Sequence, residues 1–397
     1  MDMKSKGTAM HHPTTFSLIK KQLDRSLLKS LIEKHDTDKH SKGFDTSRHL
    51  LVMIMAQLLG CKSLREVELT LNSHYRQHYH LGLSTVKRSS LSYANKHRPL
   101  KVFTELLQGL VHRLGRKQKA EIGDLLLLLD STPITLKGYQ FDEWTKATKT
   151  RCTQGLKLHI EYCPESFLTT FCQITPPNVN DLSVAREMTL QENATYVFDK
   201  GYCDYDWWLK IDESKSHFVT RLKRNAAVRV IETRAVRPEI SDLISEDAII
   251  CFSNKNPRAG KKLRYTKPLR RIILKLENKK DLILVTNELN IDAQKVADLY
   301  KSRWLIELFF KWIKQNLKIK RFMGRNENAV HIQIITALIA YALVVMIHQQ
   351  MPTLGSLREI LLMIKTRLFE AADFKKPPPM RQRLSPTTQL KLGIVLC

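Results

Sequence analysis

The sequence predicts an α/β protein: an α-helical N-terminal domain, then a sheet-bearing domain interrupted by a β-rich insertion. Three observations carry this prediction. Apolar runs with capping residues fill the first 120 residues, period-two alternation sets in after Ile122, and helical periodicity returns from Asp292.

In the first part, Asp45-Thr46-Ser47 supplies capping chemistry for the apolar run Leu50 to Leu59, and Ser63-Leu64-Arg65-Glu66 has the S-x-x-E pattern of a capping box. A turn around Leu81-Gly82-Leu83-Ser84 leads to a basic, Ser/Asn-rich stretch, Arg88 to Lys96, and a further helix runs from about Pro99 to Leu114. Between Asn72 and Ala120 stand ten Lys/Arg against one acid, Glu105. Short helices, a Gly-containing turn and that imbalance suit a helix-turn-helix contacting DNA, with Arg88, Lys96 and Arg98 as phosphate contacts. A solvated basic face on an ordinary helical domain is the plainer alternative. His74, His78 and His80 have no acid or Cys nearby and read as polar surface rather than a metal site.

In the second part, Leu125 to Leu129 is a five-leucine run ending in Asp130, Gly155 to Tyr162 alternates with period two, Phe167 to Thr175 is strand-like, and Thr195 to Phe198 is a short buried strand ending at Asp199. Two carboxylates are thereby expected at C-terminal strand ends. Short β-like runs then recur at Phe218 to Leu222, Ala227 to Thr233, Ala248 to Phe252, Leu269 to Leu276 and Asp281 to Thr286, and Lys255 to Arg271 holds eight Lys/Arg and no acid. Trp207-Trp208 reads as core, and His159 as a core or near-site histidine.

Composition narrows the function classes. Across 397 residues, 65 Lys/Arg outweigh 39 Asp/Glu, a net charge of +26 that points to a polyanionic partner, nucleic acid ahead of membrane. The first twenty residues lack the apolar segment of a signal peptide, and the run Ile332 to Ile347, which contains Gln333 and Thr336, is short for a membrane span and reads as a buried helix. Seven scattered cysteines without a CxxC indicate a reducing compartment and no zinc module.

The chemistry-bearing pattern lies between Asp292 and Arg325. Tyr300, Arg303, Glu307 and Lys314 fall within roughly 60° of one another at ~100° per residue, one narrow helical stripe. Lys311 and Lys318 lie beside it, and Leu305, Leu308, Phe309, Trp312, Ile313 and Leu317 are expected on the core side. From Tyr300 to Arg325 there are eight Lys/Arg and one acid, Glu307. Taken singly, Glu307 reads as an i,i+4 partner of Arg303 or Lys311, and each aspartate as a turn residue. Together, Asp130, Asp199 and Glu307 form an oxygen-only ligand set of the kind hard divalent cations take.

These motifs resemble the insertion-sequence DDE transposases with the Y-x2-R-x3-E-x6-K signature. Leu-Leu-Leu-Asp130-Ser-Thr matches the first aspartate motif, Val197-Phe198-Asp199-Lys200-Gly201-Tyr202 the second, and Tyr300, Arg303, Glu307 and Lys314 the last. Asn178 to Asp181 is similar to the family's polar turn before the second aspartate, and Leu284 to Asn287 to its strand before the last helix. The resemblance spans roughly residues 40 to 350.

The resemblance implies a ribonuclease-H-like catalytic domain over 121–212 and 290–372, a β-rich insertion over 213–289, a helix-turn-helix-like DNA-binding domain over 1–120 and a tail over 373–397. It implies that Asp130, Asp199 and Glu307 are catalytic and hold two Mg²⁺ ions, with Mn²⁺ able to substitute. Tyr300, Arg303 and Lys314 would grip DNA, with Lys311 and Lys318 alongside. The implied activity is cut-and-paste transposition: metal-dependent hydrolysis at the element ends, a hairpin intermediate, and joining of the 3′-OH to target DNA. The implied partners are double-stranded DNA, as terminal inverted repeats and target, and a second copy in a synaptic homodimer; the implied location is the bacterial cytoplasm, at the nucleoid, with no membrane. The insertion holds no Trp to receive a flipped base, which leaves Phe218, Phe252 and Tyr265. A DNA-binding repressor and a nuclease that cuts without joining are the rival classes.

Overall fold

The computed structural model describes residues 13–39, 41–119, 125–253, 265–276, 280–317, 319 and 321–372. Most of the basic run from Lys255, the lysine at 318 and the tail over 373–397 lie outside the described residues. Seven helices open the chain: α1 (Thr15–Gln22), α2 (Arg25–Lys34), α3 (Thr46–Leu59), α4 (Leu64–Ser73), α5 (His78–Leu81), α6 (Arg88–His97) and α7 (Leu100–Lys119). Asp45 caps α3 by accepting the Arg48 amide at 2.7 Å, and Ser63 caps α4 by accepting the Glu66 amide at 3.2 Å. The return half of the expected box is displaced by one residue, because Glu66 takes the Lys62 amide instead.

The sheet region carries β1 (Leu125–Thr135), α8 (Asp142–Thr145), β2 (Gly155–Cys163), β3 (Leu168–Thr175), α9 (Asp181–Glu187), β4 (Ala194–Phe198), α10 (Tyr205–Glu213), β5 (His217–Arg221), β6 (Val228–Arg234), β7 (Ile244–Phe252), β8 (Leu269–Leu274) and β9 (Leu282–Thr286). Helices α11 (Ala293–Ser302), α12 (Trp304–Asn316), α13 (Glu327–Gln350) and α14 (Leu357–Arg367) complete it. All nine strands join one sheet in the order β3-β2-β1-β4-β5-β9-β8-β7-β6. β1, β2 and β3 pair antiparallel, β4 pairs parallel with both β1 and β5, and the remaining pairs are antiparallel.

Two expectations change here. The β-rich stretch is not a separate body: β5 pairs parallel with β4, and β6 to β9 extend the same sheet. The five-leucine strand does not end at Asp130 either. β1 runs on to Thr135 because β2 continues to pair with it, although β4 has stopped at Phe198. Pro133 is accommodated there, since a strand with one open edge tolerates a missing donor.

Helix α13 is apolar on every side. It is long enough to cross a membrane by length and composition, yet 94% of its apolar window is buried inside the fold, as expected of a core helix. It packs against α1, α3, α6, α7, α14 and β3. The N-terminal helices therefore share one apolar core with the sheet through Leu50, Leu106 and Leu128. The opposite face of the sheet packs on Trp207 and Trp208, both fully buried.

Candidate active site

The strand register sets two carboxylates side by side. Leu129 of β1 pairs in parallel with Phe198 of β4, so the next residues, Asp130 and Asp199, are neighbours. Side chains alternate along β1: Leu127 and Leu129 enter the core on the Trp207 side, whereas Leu128 faces the α12 side, and Asp130 follows Leu128. Each aspartate accepts the amide of the next residue, Ser131 at 2.8 Å and Lys200 at 2.6 Å.

Helix α12 lies over the Asp130 face of β1 and anchors there through Lys314, whose Nζ donates to Thr132 Oγ1 at 2.5 Å and to the Pro133 carbonyl at 3.2 Å. The single helix expected from Asp292 onward is broken at Arg303. The Arg303 amide bonds the Tyr300 carbonyl and the Ile306 amide bonds the Arg303 carbonyl, both i→i−3 steps that tighten the turn. Ile306, Phe309, Phe310 and Ile313 are buried, while Leu308, expected in the core, is 42% exposed and Trp304 is 50% exposed.

Arg303 bridges the helix and the sheet. Its Nη2 donates to Glu307 Oε1 at 2.6 Å, and its Nη1 lies 3.9 Å from Asp130 Oδ2. The Asp130 carboxyl is pushed up to about 6, chiefly by burial and also by Glu307 and Asp199, with the Ser131 amide and Arg303 opposing the rise. Both other carboxylates thus act on Asp130. Tyr300 is only 9% exposed and sits with its ring 6.0 Å from the Arg303 guanidinium, so it packs behind that arginine rather than facing outward. Burial raises its hydroxyl, with Asp199 contributing.

Carboxylate oxygens suit a hard divalent cation. Among the described residues, no three His, Cys, Asp or Glu side chains are gathered tightly enough to enclose an ion, because Glu307 is turned to Arg303. The electrostatics still fit a cation, since burial first and then the neighbouring Glu307 and Asp199 raise Asp130, and a bound cation relieves both.

The other sequence-derived candidates divide. Lys311 is exposed on α12, and Arg88 and Lys96 are exposed on α6 with Ser89, Ser92 and Tyr93. Arg98 is different: it is buried, donates to the Asp45 carbonyl at 2.8 Å and to the Phe44 carbonyl, and its guanidinium lies 5.3 Å from the Phe44 ring. It holds the entry to α3 and does not face outward. The aromatics considered for a flipped base are also committed: Phe218 and Tyr265 are fully buried, and Phe252 packs 4.0 Å from Tyr205. His78 is buried with its Nε2 on the Leu71 carbonyl, and His74 stacks on Phe369.

One cluster had no sequence signal beyond the polar turn. Asp181, on the side of the sheet opposite Asp130, accepts the Ser131 hydroxyl at 2.7 Å and lies 3.3 Å from both Lys157 Nζ and His159 Nδ1. It ties the residue after Asp130 to α9. Burial lowers His159 to about 4, with Asp181 opposing, so this imidazole is neutral at pH 7.

Comparison with known proteins places these features. Residues 121–343 match the family model of the transposase DDE domain, and residues 11–84 match a domain of unknown function, DUF4372. The chain is 38% identical over 307 residues to transposase y4zB of Sinorhizobium fredii, covering 75% of this chain and 83% of that one. It is 28% identical over 271 residues to the transposase of insertion sequence element IS5377 of Geobacillus stearothermophilus, covering 68% and 69%. Among solved structures, the piggyBac transposase synaptic complex with hairpin DNA aligns with 98% of this chain and 86% of that one, at 10% identity and a TM-score of 0.48. By the family model and the y4zB likeness, the chain belongs to the insertion-sequence transposases with a DDE domain.

Proposed function

We propose that this transposase binds the terminal inverted repeats of its element, cleaves the phosphodiester there and joins the freed 3′-OH to target DNA, using Asp130, Asp199 and Glu307 on a ribonuclease-H-like sheet. The observation that carries the reading is the adjacency of Asp130, in β1, and Asp199, the residue after β4, where those two strands end their parallel pairing, with Glu307 acting on Asp130 from α12. Three antiparallel strands followed by two parallel ones, in the order β3-β2-β1-β4-β5, support the ribonuclease-H-like assignment.

Asp130, Asp199 and Glu307 would hold Mg²⁺, two ions in this reading, with Mn²⁺ as a substitute. When bound, the metal supplies charge stabilisation for an in-line phosphoryl transfer. The rest is done by the chain. Asp130 and Asp199 are fixed by the amides that follow them, which keeps their remaining oxygens turned to the site. Arg303 holds Glu307 and neutralises part of the cluster before metal arrives. Its planar fork, which here pairs with Glu307, would suit a phosphate if Glu307 served as a metal ligand. Lys314 locks α12 to β1 at the edge of the site. Lys311, with Arg88 and Lys96 on α6, gives exposed positive charge for the DNA backbone. In this reading two copies pair in a synaptic complex and act on DNA in the cytoplasm. In the same reading joining proceeds through a hairpin, and Trp304, exposed one turn before Glu307, would hold a flipped base.

The test is cleavage of a labelled duplex carrying the element's end, with Mg²⁺ or EDTA, by wild type and Glu307→Gln. The substitution keeps shape and removes a charged ligand. The expected result is a Mg²⁺-dependent cut lost in the variant, with end binding retained. Unchanged cutting by the variant refutes the metal assignment.

A further inference from the structure

A cleft of about 200 Å³ opens beside the carboxylates, lined by Lys200, Arg221, Lys223 and Arg224 with Asp281 as its one acid. Lys200 directly follows Asp199, and Arg221 lies close enough to Tyr300 to act on its hydroxyl. The cleft and the carboxylates therefore share one end of the sheet. Lys200, Lys223 and Arg224 are exposed. Among the described residues none of the four cations makes an ion pair; the one side-chain hydrogen bond among them runs from Arg224 to the Asp281 carbonyl at 3.1 Å. Four cations without an ion-pair partner against a single acid give the concavity a positive field that favours an anion. No aromatic side chain lines it, so the chemistry selects phosphate rather than a stacked base.

Its position says which phosphate. On α12, Lys311 is exposed for the element end in the reading above, with the Arg303 fork beside Glu307, while Lys314 fixes that helix to Thr132 on β1. The cleft lies across β4 from β1, at the end of β5 and against β9. Strand transfer needs two DNA backbones at one reacting centre, the 3′-OH end and the strand it attacks. Cationic surfaces on opposite sides of the Asp130–Asp199 pair provide one for each. We propose that the Lys200–Arg221–Lys223–Arg224 cleft binds the backbone phosphates of target DNA. This rests on the strand-transfer reading above.

The experiment uses the full chain, pre-cleaved element ends and a plasmid target, with Lys223→Ala and the double variant Lys223→Ala/Arg224→Ala. End cutting is measured in parallel. The ratio of joined to cut product should fall about tenfold in the double variant, and by less in the single one, because each lost phosphate contact weakens binding at physiological salt. An unchanged ratio, whether both activities fall together or neither falls, overturns the assignment. Failure of wild type to cut at all counts against the catalytic reading instead, and the cleft is then judged by binding. In EDTA, the salt dependence of affinity for a duplex lacking the end sequence should become shallower by roughly one unit of slope per removed contact. An unchanged slope overturns the cleft.

Discussion

Replacing Asp130 by Asn tests whether the buried carboxylate beside Glu307 and Asp199 costs stability before metal binds. Burial first, then Glu307 and Asp199, raise the Asp130 carboxyl from 3.8 to about 6. Its side chain is 24% exposed, so solvent screens it little. A carboxyl whose folded pKa lies above its unfolded value gives stability that is fully present below pH 3.8 and lost as pH rises through about 6. At ~1.36 kcal/mol per unit, the ionised group costs roughly 3 kcal/mol at pH 7.5 and about half that at pH 5. Asn has the same shape and no charge. In EDTA, Asp130→Asn should therefore be more stable than wild type by up to about 3 kcal/mol at pH 7.5, with the gain shrinking towards pH 5. Urea unfolding at the two pH values measures this. Added Mg²⁺ should stabilise wild type and leave the variant nearly unmoved, since only the intact cluster gains binding energy in the folded state. A variant less stable than wild type at both pH values without metal would refute the reasoning. It would mean that Arg303 already satisfies Asp130.

Two further substitutions probe groups outside the site. Arg98→Ala should lower stability by about 2–3 kcal/mol, because two buried carbonyls lose a charged donor, while the salt dependence of DNA binding stays at the wild-type slope; a shallower slope would return Arg98 to the DNA surface. Glu161 is buried on β2 with Oε2 lacking a hydrogen bond, and burial raises it from 4.5 to about 7. Its stability contribution is complete below pH 4.5 and is lost as pH rises through about 7. Glu161→Gln should accordingly raise the melting temperature more than twice as much at pH 8.5 as at pH 5.5, where part of the cost is already present, and equal shifts at both would exclude this titration as the cause.

Local signals made much of the molecule legible. The strands from Phe218 to Thr286 and the buried helix after Ile332 follow from periodicity and β-branched content, which act within a few residues. The spacing of Arg303 and Glu307 also survived, since i,i+4 neighbours meet on any helix. What was missed depends on partners far along the chain. Nothing near Asp130 says that β2 will carry β1 beyond it, or that β5 will pair with β4 and draw the β-rich stretch into one sheet. The break at Arg303 has no Gly or Pro to mark it, and which apolar stripe of α12 meets the core, Ile306, Phe309, Phe310 and Ile313 with Leu308 left exposed, depends on what the helix packs against. Arg98 looked like one more cation in a basic stretch, and only the packing of α3 shows its carbonyl partners. The cleft cations come from two loops joined by the β4–β5 pairing, so Lys200 and Lys223 carry no shared pattern in sequence.

The location of the carboxylates follows from the order of the strands. After β1 the chain turns to β2 on one side, and after β4 it crosses to β5 on the other. Connections that leave adjacent parallel strands in opposite directions cannot cover the gap between them, and a crevice opens at those strand ends. Asp130 and Asp199 stand at that divergence. β4 stops just before Asp199, which frees its carboxylate, whereas β1 continues and keeps the Asp130 backbone rigid between β2 and the divergence. One carboxylate is thereby held by a strand and the other by the turn that follows Phe198. Glu307 arrives on a helix bolted to the overrunning part of β1 by Lys314. Loosening that bolt would shift Glu307 relative to a fixed Asp130, which is why a lysine that touches neither aspartate belongs to the geometry of the site.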